Sequence, residues 1–288
     1  MVKKKALQII DSLTNAERDY SKIPEFDDSG MLPWFLYNNI EYAVILTSRG
    51  CPFHCSYCAT RFLNTAFTRR NTEDVIEEIV YINNHYGVKD FVFYDDALLY
   101  RKKEHIFQVL NGLNKRGIKV HFHTPNGLFV REIDQETAEL MKESGFKTIR
   151  LSVETVSEKF LQKSCYKINR NLVKEAIENL KKAGYKNSRI EVYLMVGMPG
   201  QKFDDVIESI KFISDLGAVS RLSYYSPIPH TKDWDIILEN TSIPLNDDPI
   251  YTNNTVYPYY NNDLTWQEID QLKLIANELN KKAIESEV

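Results

Sequence analysis

The stretch Thr148-Ile-Arg-Leu-Ser-Val-Glu154 decides the fold that this sequence predicts. Its apolar residues alternate with Arg150, Ser152 and Glu154, and successive side chains on a β-strand point to opposite faces. Residues 119–124 and 189–195 alternate in the same way. We therefore predict strands whose apolar face packs on helices and whose polar face lines an interior cavity for a polar ligand.

Short apolar stretches of this kind alternate with longer amphipathic ones along the chain. The predicted strands cover residues 42–48, 90–94, 119–124, 148–153, 189–195 and 220–225. The predicted helices cover residues 72–85, 102–116, 134–144, 171–183 and 202–216. Strand starts lie roughly 30 to 50 residues apart, about the length of a strand–helix unit. This repeat predicts an α/β fold, a partial (βα)6 TIM-like barrel. The alternative is an antiparallel sheet with one solvated face.

We divide the chain into three parts by composition. Residues 1–40 form an N-terminal extension or linker remnant, and residues 41–226 form the barrel. Residues 227–288 form a C-terminal extension with an irregular aromatic segment and a final helix. The start of that helix, Thr265-Trp-Gln-Glu268, has the form of a capping box.

Composition excludes several classes of protein. The 288 residues include 36 Lys and Arg against 40 Asp and Glu, a net charge of −4, so we expect no nucleic-acid partner held by bulk charge. No apolar run is long enough to span a membrane, and the apolar stretch near the N-terminus is too short for a signal peptide. Four cysteines do not make a disulfide framework, so we expect a reducing, cytoplasmic location.

Three of the four cysteines cluster directly after the first predicted strand, in Arg49-Gly-Cys-Pro-Phe-His-Cys-Ser-Tyr-Cys58. Thiolates at this spacing can surround one metal centre within a single loop. An iron–sulfur cluster usually takes four cysteines, so three would leave one iron open to a ligand. A zinc site completed by His54 or a distant histidine is the alternative. The loop leaves the strand end at which barrel enzymes place their active sites.

The pattern Cys51-x3-Cys55-x2-Cys58, with Tyr57 before the last cysteine, resembles the signature of the radical S-adenosylmethionine (SAM) superfamily. The resemblance extends over residues 42–225, and the subgroup most resembled carries an upstream cobalamin-binding domain. The supporting motifs are Phe93-Tyr-Asp-Asp-Ala-Leu-Leu99, Thr124-Pro-Asn-Gly127, Leu151-Ser-Val-Glu-Thr155, Val196-Gly-Met-Pro-Gly200 and Ser226-Pro-Ile-Pro229.

The resemblance implies an enzyme with a [4Fe–4S] cluster held by the three cysteines and with SAM on the open iron. Reductive cleavage of SAM would give a 5′-deoxyadenosyl radical that abstracts hydrogen from an unknown small-molecule or peptide substrate. It also implies an electron donor such as flavodoxin or ferredoxin. The protein itself would bind and orient SAM and the substrate, and it would exclude water from the site.

The resemblance further implies SAM contacts at the ends of the predicted strands. Tyr57 would lie near the adenine, and Val196 and Gly197 would line the adenine pocket. Ser152 and Glu154 would contact the ribose or the methionine end. Asp95 and Asp96 stand where the family contacts the methionine amino group, often with a Gly-Gly-Glu run that Tyr94-Asp-Asp96 replaces here. For each of these residues the alternative is an ordinary strand-end or turn position.

Three further residues carry open interpretations. Cys165 is either a hydrogen-atom donor to a substrate radical or a small buried residue without chemistry. His121 and His123 are substrate contacts, a proton relay or satisfied interior residues.

Cobalamin is expected only through a missing domain or a partner, because about 40 residues precede the barrel. The alternative functions are the core of a cobalamin-dependent radical SAM methyltransferase and a non-catalytic scaffold that binds zinc or a cluster.

Overall fold

The computed structural model describes residues 32–64, 66–161, 168–254 and 263–286. The strands in these residues are β1 (Tyr42–Ile45), β2 (Ser48–Arg49), β3 (Thr68–Arg69), β4 (Asp90–Phe93), β5 (His121–His123), β6 (Leu128–Phe129), β7 (Phe146–Glu154), β8 (Ile190–Val196) and β9 (Val219–Tyr224). Six of them coincide with the predicted strands, and the short β2, β3 and β6 were not predicted.

The helices are α1 (Thr60–Leu63), α2 (Thr72–Tyr86), α3 (Ile106–Lys115), α4 (Gln135–Glu143), α5 (Glu158–Leu161), α6 (Arg170–Lys182), α7 (Phe203–Asp215), α8 (Lys232–Asn240) and α9 (Trp266–Glu285). The five helices predicted between the strands are present. Within the described ranges, no helix combines the length and apolarity that crossing a membrane requires.

The main sheet is parallel and has the strand order β1, β4, β5, β7, β8, β9, with β6 added beside β7. The antiparallel alternative is therefore wrong. In the described part of the chain β1 and β9 do not pair with each other, so the sheet is open, as a partial barrel requires. All six strands point the same way, so their carboxyl ends share one edge, at which loop side chains can meet.

The alternation seen in the sequence separates the two faces of the sheet as predicted. The residues that pack against the outer helices are almost fully buried: Phe91, Phe93, Phe122, Ile149, Leu151, Val153, Val192 and Leu194. The alternate residues of β4, β5 and β7 line an interior cavity of about 360 Å³. The prediction of a polar-lined interior is confirmed.

The ends of two helices confirm the capping signals in the sequence. The side chain of Asn71 accepts a hydrogen bond from the Glu73 backbone N–H at the start of α2. At the start of α9, Thr265 and Glu268 form the reciprocal capping box.

The structure differs from the prediction in two places. The region after Pro227 was predicted to be irregular, but it contains α8, which Thr231 caps by accepting from the Trp234 N–H. The predicted helix over residues 102–116 is broken at His105, where a 3₁₀ turn, Lys102–Glu104, precedes α3.

The last helix is tied to the open edge of the sheet. The Asn280 side chain accepts from the Ser220 N–H (2.8 Å) and donates to the Ser220 carbonyl (2.9 Å). Asn187 donates to the carbonyl of Ala283 (2.7 Å). Polar backbone groups of an edge strand need such partners when they are buried, so α9 covers β9.

Candidate active site

The cysteine loop is closed at its base by a small antiparallel ribbon. β2 pairs with β3, so the loop of residues 50–67 leaves and returns at one point beyond β1. Gly50 starts the loop with φ +83°, and an added Cβ would lie 2.6 Å from the Ala66 carbonyl oxygen. Both the conformation and the close approach require glycine at this position.

The three cysteines of the loop form no disulfide among the residues that the structure describes. Cys51 and Cys55 are partly buried and Cys58 is exposed. In the described residues, no three Cys, His, Asp or Glu side chains converge on one ion position. His54 lies with Nδ1 3.0 Å from the Arg61 guanidinium. Structural zinc takes four protein donors, whereas a cluster can be held by three cysteines with one iron left open, so the donor set of three cysteines in one loop suits a cluster.

The carboxylate of Asp95 lies at the base of this loop and accepts several hydrogen bonds from the protein. It accepts from the hydroxyls of Thr47 (2.7 Å) and Ser48 (2.6 Å) and from the Thr47 backbone N–H (3.1 Å). Burial raises the pKa of Asp95, and the hydrogen bonds from Ser48 and Thr47 oppose that rise. Asp95 therefore fixes the end of β4 to the base of the cysteine loop.

Asp96 occupies a different environment from its neighbour. It is only partly buried, and burial raises its pKa while a hydrogen bond from the Gly50 backbone N–H lowers it. Of the two acidic residues, Asp96 is the one whose carboxylate is accessible at the rim of the sheet.

Tyr57 and Glu154 approach each other across the carboxyl edge of the sheet. Burial raises the pKa of Tyr57 well above its usual value, and the charge of Glu154 raises it further. Glu154 has φ +67°, which is rare for a residue with a side chain, and the β7–β8 register shifts between Ser152 and Glu154. The Glu154 carboxylate at this irregular strand end is therefore close enough to Tyr57 to act on it electrostatically.

Ser152 is covered by the turn of residues 124–127. A Cβ on Gly127 would lie 2.3 Å from the Ser152 hydroxyl oxygen, so only glycine fits there. Asn126 of the same turn donates to the Tyr94 carbonyl at 2.7 Å. The turn thus connects the ends of β7 and β4.

The turn after β8 is held by a residue that the sequence reading missed. Gln201 is buried and accepts from the backbone N–H groups of Gly197 (2.7 Å) and Met198 (3.2 Å). It also donates to the Met195 carbonyl (3.0 Å). One side chain thereby satisfies three backbone groups and rigidifies the turn that contains Val196 and Gly197.

Below the rim, two charged groups occupy the interior of the partial barrel. Asp90 Oδ1 lies 3.2 Å from His121 Nδ1 and 3.1 Å from His123 Nε2. The hydrogen bond from His123 lowers the pKa of Asp90, although burial opposes it. Both histidines therefore have a carboxylate partner, which matches the interpretation of satisfied interior residues.

The second group spans three strands and is built around Glu191. Arg150 Nε donates to this buried carboxylate at 2.8 Å, and Arg221 Nε donates to it at 2.9 Å. Their hydrogen bonds and charges hold the pKa of Glu191 below its usual value against the effect of burial.

The model of the radical SAM superfamily matches residues 45–213, more than half of the chain. The chain belongs to the radical SAM superfamily. Members of this superfamily are enzymes that use a [4Fe–4S] cluster and SAM. That Cys51, Cys55 and Cys58 hold such a cluster in this chain stays a prediction.

Two curated relatives are methyltransferases. An uncharacterized methyltransferase of Pyrococcus horikoshii is 26% identical over 226 residues, which cover 77% of this chain and 47% of the relative. Cytidylyl-2-hydroxyethylphosphonate methyltransferase of Streptomyces wedmorensis is 24% identical over 193 residues, which cover 64% of this chain and 35% of the relative. The chain thus spans about half, or less, of the length of these relatives.

The fold is also that of a solved radical SAM protein. The methyltransferase TsrM of Kitasatospora setae, solved with cobalamin and a [4Fe–4S] cluster bound, superposes with a TM-score of 0.60 at 19% identity. The match covers 69% of this chain and 37% of TsrM.

Within this radical SAM core, the structure brings most of the predicted site residues to one edge. Tyr57, Asp96 and Glu154 lie around the cysteine loop. The Asp95 carboxylate accepts a hydrogen bond from Ser48, and the Ser152 hydroxyl donates to the Asn126 carbonyl. The SAM contacts assigned to all of them stay predictions. Cys165 lies outside the described residues, so both interpretations of it also stay predictions.

Proposed function

We propose that this chain is the catalytic core of a radical SAM enzyme with Cys51, Cys55 and Cys58 as the cluster ligands. One observation carries the proposal: three cysteines, none of them in a disulfide, lie in one loop at the carboxyl edge of a parallel, polar-lined sheet. The bound cluster and SAM supply the chemistry, one-electron cleavage of SAM to a 5′-deoxyadenosyl radical that removes a hydrogen atom from the substrate.

The chain's own residues hold and orient these groups. Asp95 keeps the cysteine loop in place through Thr47 and Ser48. Asp96 and Glu154 offer carboxylates for the methionine amino group and the ribose of SAM. The Val196–Gly197 turn, braced by Gln201, offers a rigid wall for the adenine.

The test is anaerobic reconstitution with iron and sulfide. We expect about four irons per chain, as a [4Fe–4S] cluster contains, and 5′-deoxyadenosine formation when a reductant and SAM are added. Cys55→Ser should lose the iron, whereas the matched variant Cys165→Ser should retain it. Iron binding that survives Cys55→Ser would overturn the assignment of the ligands.

The electron is proposed to come from a flavodoxin or ferredoxin, and the four cysteines of the sequence, too few for a disulfide framework, support a reducing, cytoplasmic location. Reduction of the reconstituted cluster by a purified flavodoxin, followed by its absorbance, tests this partner.

A second function is favoured by the names of the two curated relatives, which are methyltransferases, and by the cobalamin bound in the TsrM structure. It is a radical SAM methyltransferase core that uses cobalamin from another domain or chain. A cobalamin-dependent radical methyltransferase would use one SAM to methylate cobalamin, which leaves S-adenosylhomocysteine, and a second SAM to form 5′-deoxyadenosine. A radical SAM enzyme without methyl transfer would form 5′-deoxyadenosine and no S-adenosylhomocysteine. Chromatography of the products with and without added methylcobalamin distinguishes the two. If cobalamin is neither bound nor able to change the products, the methyltransferase proposal is wrong.

A further inference from the structure

A second cavity, of about 310 Å³, opens beside the cysteine loop and shares no lining residue with the interior cavity. Its lining includes two of the three proposed cluster ligands, Cys55 and Cys58, and Cys58 is exposed. The other lining residues belong to the loop, to α1 and to the chain that leads into α8. This inference rests on the proposed function and concerns the partner that supplies the electron.

Both helices that frame this cavity are hydrogen-bonded to the cysteine loop. The Asp233 backbone N–H in the first turn of α8 donates to the Ser56 carbonyl at 3.1 Å. The Thr60 backbone N–H at the start of α1 donates to the Cys58 sulfur at 3.5 Å. The surface around the cavity therefore keeps a defined position relative to the proposed cluster ligands.

The charged side chains that line the cavity are cationic. Arg61 and Lys232 are both in the lining, and no carboxylate of a described residue is. Two acidic residues follow Lys232 on α8, but Asp233 is 1% exposed and Asp235 lies outside the lining. The Arg61 guanidinium contacts His54 rather than an acid. The carboxylates of an anionic partner would therefore meet two cations that lack an acidic partner in the described part of the chain.

Exposed apolar side chains lie beside these cations. Phe62 and Leu63, at the end of α1, are 57% and 54% exposed. The Phe62 ring stacks on the His230 ring, with the two centroids 4.1 Å apart. Aromatic residues and arginine are enriched in protein interfaces, whereas a small inorganic anion would use the charges alone. The combination therefore favours a protein as the anionic partner.

The position of Cys58 identifies the kind of protein. A protein that covers this cavity lies against an exposed proposed cluster ligand, which is where an electron has the shortest path to the cluster. Complexes that transfer electrons have small interfaces, and complementary charges mainly raise the rate at which the partners meet. Two cations and a small apolar surface are therefore sufficient for such a partner.

We propose that the surface formed by Arg61, Phe62, Leu63, His230 and Lys232, here called the cationic face, is the docking site for an acidic electron-carrier protein. Carboxylates of the carrier contact Arg61 and Lys232, and its redox group faces Cys58. One electron passes from the reduced carrier to the oxidised cluster. The carrier is thereby oxidised and the cluster reduced by one electron each, and no atom is transferred.

The first test measures the binding of a purified flavodoxin of negative net charge to the full chain, with and without the reconstituted cluster. Fluorescence anisotropy of labelled flavodoxin gives the dissociation constant. Arg61→Glu and Lys232→Glu should each weaken binding at least about fivefold at low salt, and about 0.5 M salt should remove the difference.

Lys281→Glu is the matched control for the charge reversal. Lys281 is exposed on α9 and follows Asn280, which bonds to Ser220 near the amino end of β9. This position is at the opposite edge of the sheet from the cysteine loop, so we expect unchanged binding. Phe62→Ala removes apolar contact without a change of charge and should weaken binding at both low and high salt.

The second test follows the reduction of the reconstituted cluster by its absorbance. Reduced flavodoxin should reduce the cluster of Lys232→Glu at least about fivefold more slowly than that of Lys281→Glu. Excess dithionite, a small reductant that needs no docking surface, should reduce both clusters completely. Thermal unfolding of each variant verifies that it is folded.

Equal flavodoxin binding by Lys232→Glu and Lys281→Glu would overturn the inference. So would a cationic face whose substitutions weaken the binding of inorganic phosphate but not that of flavodoxin. Because binding is measured also without the cluster, a failed reconstitution counts against the proposed function alone. A normal cluster with equal flavodoxin binding in all variants counts against this inference alone.

Discussion

The Asp95 carboxylate lies 2.6 Å from the Ser48 hydroxyl oxygen, so the end of β4 is hydrogen-bonded to the ribbon from which the cysteine loop emerges. This bond connects a strand end at the proposed SAM site to the proposed cluster ligands. It gives a buried acidic residue a structural role that its position next to Asp96 did not indicate.

Asp95→Asn should weaken both the fold and the metal site. The amide nitrogen would face a backbone N–H of Thr47 where a carboxylate oxygen now accepts, and an unsatisfied buried group costs about 1–3 kcal/mol. Urea unfolding and iron content after reconstitution check this. Asp96→Asn, at a partly exposed position, is the control and should keep its iron. Unchanged stability and iron in Asp95→Asn would contradict the anchoring role.

Gly50→Ala should impair the cysteine loop. The substitution strains the backbone at φ +83° and also brings a Cβ within 2.6 Å of a carbonyl oxygen. Gly87→Ala is a matched control because Gly87 has φ +69° but no atom within 4 Å of an added Cβ. We expect a loss of about 1 kcal/mol in Gly87→Ala and a larger loss, with reduced iron binding, in Gly50→Ala. Equal effects would show that the Ala66 contact is unimportant.

Gln201→Leu should loosen the turn after β8. It leaves three backbone groups without their side-chain partner, and we expect a loss of about 1–3 kcal/mol together with weaker SAM binding. Calorimetric titration with SAM and thermal unfolding measure the two effects. The exposed Gln108→Leu serves as control. If SAM binding were unaffected while stability fell, the Val196–Gly197 turn would not be part of the SAM site.

The stability of the fold should decline in mild acid because of His105. Burial and then the positive charge of Arg69 lower the pKa of His105 to about 4, below its value of about 6.5 in an unfolded chain. At a pH between these two pKa values, His105 is protonated in the unfolded chain but not in the folded chain. The free energy of unfolding therefore falls as the pH falls from about 6.5 to about 4. The slope from this one group is at most about 1.4 kcal/mol per pH unit.

Urea unfolding at pH 7, 6 and 5 measures this slope. His105→Gln should show a shallower dependence than the unsubstituted protein, whereas the exposed His85→Gln should follow it. Parallel curves for all three proteins would exclude His105 as the cause.

The sequence alone determined the features that depend on neighbouring residues. Alternation along residues 148–154 identified which side chains face the interior, and the repeat of strands and helices identified a parallel sheet. The cysteine spacing predicted a metal-binding loop. These patterns are local, because the period of a strand or a helix is set by backbone geometry within a few residues.

Only the tertiary structure decided which polar residues bind each other. Asp95 and Ser48 are 47 residues apart in the chain, and Asn280 and Ser220 are 60 apart. Arg150, Glu191 and Arg221 meet because β7, β8 and β9 are adjacent and in register. Such pairs depend on strand order and register over long separations, and no local period records them. The sequence therefore located the cysteine loop, while the packing of distant strands determined what anchors it and the charge of the cavity below it.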